Sequence, residues 1–71
     1  MKKKGNLIYD SKRECMDIRF DLDDYYGGLH CGECLEVLLG NKWIPTRIEM
    51  NSDWYLVGVQ TDKLVGLTVR I

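Results

Sequence analysis

The sequence has no long apolar run, almost no proline and no excess of either charge. Its 71 residues include one Pro, one His and three Cys, and ten basic against eleven acidic side chains give a net charge of −1. No apolar run approaches the roughly 18 residues that a membrane span needs, and the N-terminal residues lack the apolar core of a signal peptide. Three Cys without a secretion signal fit a reducing compartment. We therefore expect a cytoplasmic protein with no membrane segment.

The near-neutral charge also argues against binding of nucleic acid by the molecule as a whole, which needs an excess of Lys and Arg. Lys2, Lys3 and Lys4 form a short basic run, which we interpret as a flexible, solvated tail over residues 1–4. Signatures of catalysis are missing as well, since the chain has a single His and no Ser-His-Asp set, phosphate-binding loop or dinucleotide glycine motif. We expect no enzymatic activity and no cofactor.

What the sequence does have is alternation of apolar and polar residues, which is typical of strands with one buried face. Strands are predicted over residues 6–10, 16–20, 33–39, 42–50, 54–60 and 67–71, with a long loop at 21–32. Gly40-Asn41 is a two-residue turn signal, and Pro45 places its strand at a sheet edge or a bulge. Residues 1–71 are thus predicted to form a single all-β domain, an SH3-like barrel of five to six short antiparallel strands, with an OB-like barrel as the alternative.

Reactive side chains crowd together only in GGLHCGEC, residues 27–34. His30, Cys31 and Cys34 supply zinc-ligand chemistry, and Cys15 would complete a set of four, but a second spaced pair is missing. A thiol-disulfide role is disfavoured by the acidic neighbours, which raise thiol pKa values. We interpret the segment as a bend in which glycines provide unusual backbone angles, and predict no metal, with zinc bound by these residues as the alternative.

A possible binding surface lies on the strand over residues 42–50. Alternation places Trp43, Arg47 and Glu49 on the face opposite Ile44 and Ile48. A tryptophan with charged neighbours on an exposed face is typical of protein-binding surfaces, because a large rigid ring gives contact area at a low entropy cost. The sequence therefore predicts that this face contacts a protein partner or a second copy of the chain.

The next strand is apolar on both faces, so alternation leaves its orientation open. Its core face is either Trp54 and Leu56 or the set Tyr55, Val57 and Val59. If Trp54 points outward beside Trp43, an apolar patch results that suits a partner protein, a homodimer or a stacked base. In the other interpretation, the loop over residues 21–32 covers this face as a second small core.

These observations together predict a non-enzymatic binding module whose contact residues are Trp43, Arg47, Glu49 and Trp54. The first alternative is an accessory protein that binds nucleic acid through Lys2–Lys4 and the aromatic face. The second is a small protein stabilised by zinc.

The segments GNLIYD, GGLHCGECLEVLLGNKWIPTRIEM, DWYLVGV and LVGLTVRI together resemble a family of small uncharacterised bacterial proteins catalogued as a domain of unknown function. The resemblance covers nearly the whole chain and implies no activity. It places ten residues at positions characteristic of the family: Leu29, His30, Cys31, Gly32, Trp43, Arg47, Glu49, Trp54, Tyr55 and Arg70. Cys15 and Cys34 do not fall on such positions, which weakens the zinc alternative.

Overall fold

The computed structural model describes residues 2–61 and 63–71, which form an all-β fold without a helix in these ranges. Seven strands follow one another: β1 Lys4–Asp10, β2 Cys15–Asp21, β3 Asp24–Tyr25, β4 Cys34–Leu39, β5 Lys42–Asn51, β6 Asp53–Leu56 and β7 Thr68–Arg70. The predicted all-β class is confirmed. The count exceeds the prediction because the two-residue β3 lies inside the segment that was expected to be a loop.

No helix in the described residues is long and apolar enough to cross a membrane.

One antiparallel sheet contains all seven strands, in the order β3-β2-β1-β7-β4-β5-β6. Two hairpins, β1–β2 and β4–β5, are joined by β7, which lies between them and pairs with β1 on one side and β4 on the other. The second hairpin turns at Gly40-Asn41, where Gly40 has a φ of 62°. The last strand therefore makes one sheet out of two local units.

Within the described part of the chain, the core consists of nine buried apolar side chains, which come from six strands and one loop: Leu7, Met16, Ile18, Leu29, Leu35, Val37, Ile48, Leu56 and Val69. Ile18 of β2 and Leu56 of β6 belong to the same cluster although four strands separate β2 from β6 in the sheet order. The sheet must therefore bend strongly around its inner face. Its hydrogen-bonded order is linear over the described strands, so the enclosure comes from this bend, with β3 and β6 as the two edges.

Pro45 lies where its missing N–H does no harm to the sheet. Leu39 and Lys42 flank the two-residue turn, so residues 42, 44 and 46 form the hydrogen-bonded pairs with β4, and Pro45 directs its nitrogen to the other side. On that side, β6 pairs with β5 only from Ile48 onwards. The first half of β5 is thus a sheet edge, as the proline predicts.

Two expectations about local structure are wrong. Residues 2–4 are not a free tail, because Lys4 belongs to β1 and Lys3 exchanges backbone hydrogen bonds with Ile71 at 2.8 and 3.0 Å; Met1 lies outside the described residues. The strand predicted over residues 54–60 ends at Leu56, because Gly58 has a φ of 78° and turns the chain. The amide of Val59 donates to the carbonyl of Leu56, and Val59 then packs against the core.

The first prediction concerns Gly5, which has no room for a side chain. A Cβ there would lie 2.6 Å from the carbonyl oxygen of Arg19, 2.7 Å from Ile18 Cγ2 and 2.9 Å from Phe20 Cδ1. We expect Gly5→Ala to lower the free energy of unfolding by about 1–3 kcal/mol in chemical denaturation, as overpacking does. Gly40→Asn is the control, since a Cβ at Gly40 meets nothing within 4 Å and Asn tolerates the positive φ. Equal stability of wild type and Gly5→Ala would contradict this account of the packing.

Candidate functional site

Trp43 lies on the outer face of β5, beneath the side chain of Arg70. The guanidinium carbon of Arg70 is 4.3 Å from the centre of the indole ring, which is a cation–π contact. Alternation along β5 places Trp43 on the side opposite the buried Ile48, as predicted, and the ring is half-buried. The indole is therefore held in place on the surface by a side chain of β7, which reaches it across β4.

Glu36 of β4 holds Arg70 over the indole. Arg70 Nε donates to Glu36 Oε1 at 2.6 Å, and Lys2 Nζ lies 2.7 Å from the same oxygen. Hydrogen bonds from Lys2 and Arg70 lower the pKa of Glu36 below its ordinary value, so this carboxylate stays charged at neutral pH. The sequence reasoning missed Glu36 and Lys2 as parts of the site. Cross-strand pairing with β7 could have indicated Glu36, since it lies directly opposite Arg70.

Arg47 and Glu49 continue this surface along β5. Arg47 Nε donates to Glu49 Oε2 at 2.8 Å, and this bond and the charge of Glu49 raise the pKa of Arg47. Tyr55 lies opposite Glu49 on β6 and is exposed. We call the surface formed by Trp43, Arg70, Glu36, Arg47 and Glu49 the Trp43 face; each of its two arginines is paired with a glutamate.

Trp54 does not belong to the Trp43 face. Leu56, two residues further along β6, is buried in the core, and Trp54 packs against that core from the same side of the strand. Of the two orientations that alternation left open, the structure thus has Trp54 and Leu56 facing inward and Tyr55 facing outward. The apolar patch that would join Trp54 to Trp43 is not formed.

The segment over residues 27–34 bridges the two hairpins. On one side, the amide of Leu29 donates to the carbonyl of Met16 in β2 at 2.8 Å. On the other, Gly32 and Glu33 exchange backbone hydrogen bonds with Ile48 in β5 at 2.7 and 3.0 Å. Leu29 itself is 2% exposed and inserts into the core, so the interpretation of this segment as a bend agrees with its position.

A buried carboxylate anchors the start of this segment. Asp17 of β2 is the one charged residue that the structure buries among the described residues, and its Oδ1 accepts the amides of Gly27 and Gly28 at 3.0 and 2.9 Å. Both glycines have positive φ values, 110° and 105°, which direct these amides to the carboxylate. Arg13 adds a bond from Nη1 to the carbonyl of Gly27 at 2.6 Å. Alternation alone assigned Asp17 to solvent, and no other feature of the sequence indicated this role.

The Glu33 side chain connects His30 to Tyr26, the residue before the segment. Its Oε1 accepts the His30 amide at 2.7 Å and lies 3.1 Å from His30 Nδ1, while its Oε2 accepts the Tyr26 hydroxyl. Burial alone would raise the pKa of Glu33, but these hydrogen bonds outweigh it and hold the pKa below the ordinary value. The same hydrogen bond to Glu33 raises the pKa of Tyr26.

His30, Cys31 and Cys34 lie at the surface, with the His30 side chain 86% exposed. All three cysteines are free thiols. Over residues 2–61 and 63–71, no three His, Cys, Asp or Glu side chains are close enough together to hold a metal ion. The candidate zinc ligands therefore do not converge, and Cys34 lies opposite Arg47 at the start of β4 instead.

A family model described as Domain of unknown function (DUF5348) matches residues 5–71. No curated protein matches the sequence. A crystal structure of a protein from Ruminococcus gnavus, solved as a structural genomics target, is 54% identical and superimposes with a TM-score of 0.92, covering 96% of this chain and 99% of that one. The predicted resemblance to a domain of unknown function is thereby confirmed.

The segment over residues 27–34, called the bridge below, leads to a prediction about Leu29 and Cys31. Leu29→Ala leaves a cavity in the core and should lower the free energy of unfolding by about 2–5 kcal/mol in urea denaturation. Cys31→Ser, two residues away at the exposed surface, should change it by less than about 0.5 kcal/mol. A larger loss of stability from Cys31→Ser than from Leu29→Ala would contradict the structural role of the segment and would indicate a role for its thiols.

Glu33 predicts part of the acid sensitivity of the fold. Because its pKa is lower in the folded chain than in the unfolded one, it contributes stability that is present above the ordinary carboxyl value of 4.5 and is lost as the pH falls through the folded value. The free energy of unfolding, measured by urea denaturation at several pH values, should therefore decline more steeply below pH 4.5 in wild type than in Glu33→Gln. Asp23→Asn, an exposed acid in the turn between β2 and β3, is the control. Identical pH profiles for wild type and Glu33→Gln would exclude this contribution.

Proposed function

Because this chain belongs to the DUF5348 family, a domain of unknown function that implies no activity, we propose on the basis of its surface residues that it is a non-enzymatic binding module. The Trp43 face is the surface that contacts another protein. The observation that carries this proposal is the indole of Trp43, held at the surface under Arg70 by the Glu36 carboxylate. A preorganised aromatic ring loses little entropy on binding, and tryptophan and arginine are both enriched among the hot spots of protein interfaces.

The charge pattern of the face favours protein over nucleic acid. Arg70 is paired with Glu36 and Arg47 with Glu49, so phosphates would meet a carboxylate beside each guanidinium. Arg70 also covers the face of the indole on which a base would stack. A protein surface that carries both signs of charge can instead pair with the guanidinium groups and with the carboxylates of this face.

A second copy of the chain is the partner that this pattern fits. A two-fold interface brings the same patch of both copies together, so each arginine on one copy needs a carboxylate on the other. The Trp43 face carries two of each, on adjacent strands β4, β5 and β7. We therefore propose self-association through this face.

Nucleic-acid binding is the second candidate, and one observation favours it. Lys2 contacts Glu36, and Lys4 lies opposite Arg70, so the basic N-terminal segment adjoins the Trp43 face.

We further propose that the protein acts in a bacterial cytoplasm. The three free thiols fit a reducing compartment, and the relative from Ruminococcus gnavus fits a bacterial origin.

The test is sedimentation velocity over a wide range of protein concentration. Wild type should form a dimer as its concentration rises, and Trp43→Ala should weaken this dimer by at least about 30-fold, which corresponds to about 2 kcal/mol at one interface hot spot, because the substitution removes the ring from both copies. Tyr25→Ala is the matched control, because it also removes an exposed aromatic ring but lies on β3, at the far edge of the sheet. Circular dichroism of each variant confirms that it is folded.

Three outcomes would overturn self-association through this face. They are a wild type that stays monomeric at its highest soluble concentration, a Trp43→Ala variant that dimerises like wild type, and an equal loss in Tyr25→Ala. Fluorescence anisotropy with single-stranded and duplex DNA oligonucleotides tests the second candidate. Binding that weakens with salt and is lost in Trp43→Ala would support nucleic acid as the ligand of the face.

A further inference from the structure

A groove of about 560 Å³ opens on the inner side of the sheet, away from the Trp43 face. The end of the β1–β2 hairpin, the end of the β5–β6 hairpin and residues 64–65 form its walls. Three of its apolar side chains are unusually exposed: Tyr9 at 47%, Met50 at 46% and Val65 at 51%. Trp54, which the sequence left without an assigned face, lines the same groove.

The groove is built on rigid parts of the fold. Trp54 and Met50 are paired across β5 and β6, and Trp54 packs against the core. Its third wall is fixed to β1, because the amide of Gly66 donates to the carbonyl of Leu7 at 2.8 Å. The buried Met16, opposite Tyr9 on β2, also lines the groove and belongs to the core. The exposed apolar surface is thus an extension of the core that nothing in the described chain covers.

Two carboxylates line the groove, and no basic side chain does so among the described residues. Glu14 lies in the turn of the first hairpin and Asp53 at the start of β6. Over residues 2–61 and 63–71, neither takes part in a salt bridge, whereas Asp10, Asp24, Glu33, Glu36 and Glu49 all do. An apolar groove that also carries unpaired negative charge is complementary to a side chain with an apolar stem and a cationic end.

We propose that this groove binds a segment of another protein in which a lysine or arginine lies beside an apolar residue. The aliphatic stem of the basic side chain packs against Trp54 and Tyr9, whose rings also attract the cation. Its charged end is held by Glu14 and Asp53, and the apolar neighbour covers Met50 and Val65. This site is independent of the Trp43 face, since it uses the opposite side of the sheet and a ligand of one charge sign.

The experiment titrates the ¹⁵N-labelled full chain with three short capped peptides of equal apolar content, which carry a lysine, an arginine or a glutamate at the central position. The lysine and arginine peptides should shift the amide signals of Tyr9, Glu14, Asp53 and Val65 and the indole N–H signal of Trp54. The indole signal of Trp43 should stay in place. The glutamate peptide should leave all of these signals unchanged.

Variants separate the charge from the apolar contact. Glu14→Gln and Asp53→Asn keep the shape of exposed side chains, and each should weaken binding of the lysine peptide by up to about fivefold, as expected for solvent-accessible ion pairs. Asp23→Asn removes an exposed carboxylate outside the groove and should have no effect. Thermal unfolding of each variant confirms that it is folded.

Several results would overturn the proposal. They are equal binding of the glutamate peptide, shifts confined to the Trp43 face, wild-type affinity in the combined Glu14→Gln and Asp53→Asn variant, and no shift with any peptide. Shifts of the groove signals on raising the protein concentration without peptide would show a second copy as the occupant, which also contradicts a separate partner.

Discussion

The bridge over residues 27–34 is the constraint on which the rest of the fold depends. β7 joins the two hairpins side by side, and among the described residues this bridge is the segment whose backbone hydrogen bonds reach both Met16 of β2 and Ile48 of β5. Its conformation requires three positive φ values, which glycines adopt at little cost, and an acceptor for the amides of Gly27 and Gly28, which is Asp17. With this connection in place, Leu29 completes a core that a flat sheet could not enclose.

Alternation predicted the parts of the structure in which apolar and polar side chains strictly take turns, so that every second side chain clearly prefers the core. The two hairpins and the outward position of Trp43 follow from it, and the turn at Gly40-Asn41 was indicated separately by its two turn-forming residues. It could not orient Trp54 and Tyr55, because both neighbours are large and amphipathic and either side would have been acceptable. Asp17 escaped it for another reason: its carboxylate is buried by the loop that contains Gly27 and Gly28, and period two contains no information about loops.

The candidate site was predicted in part. One face of β5 carries Trp43, Arg47 and Glu49, because even numbers of residues separate them along the strand. The sequence shows this spacing directly. Arg70 and Glu36 join them through the pairing of β7 with β4, a contact between positions 34 residues apart. Which strand lies beside which is decided by the whole sheet. For the same reason, the groove beside Trp54 could not be foreseen, since three distant segments form its walls.

Pro45 has a consequence for the behaviour of the chain in crowded solution. The first half of β5 is an open edge of a long strand, and such an edge offers free N–H and C=O groups to which other chains can add, a usual beginning of aggregation. A proline in the middle of that edge removes a donor and blocks the continuous ladder that an incoming strand would need. The protein can therefore display an aromatic, partly apolar surface on β5 and still resist fibril-like stacking along the same strand.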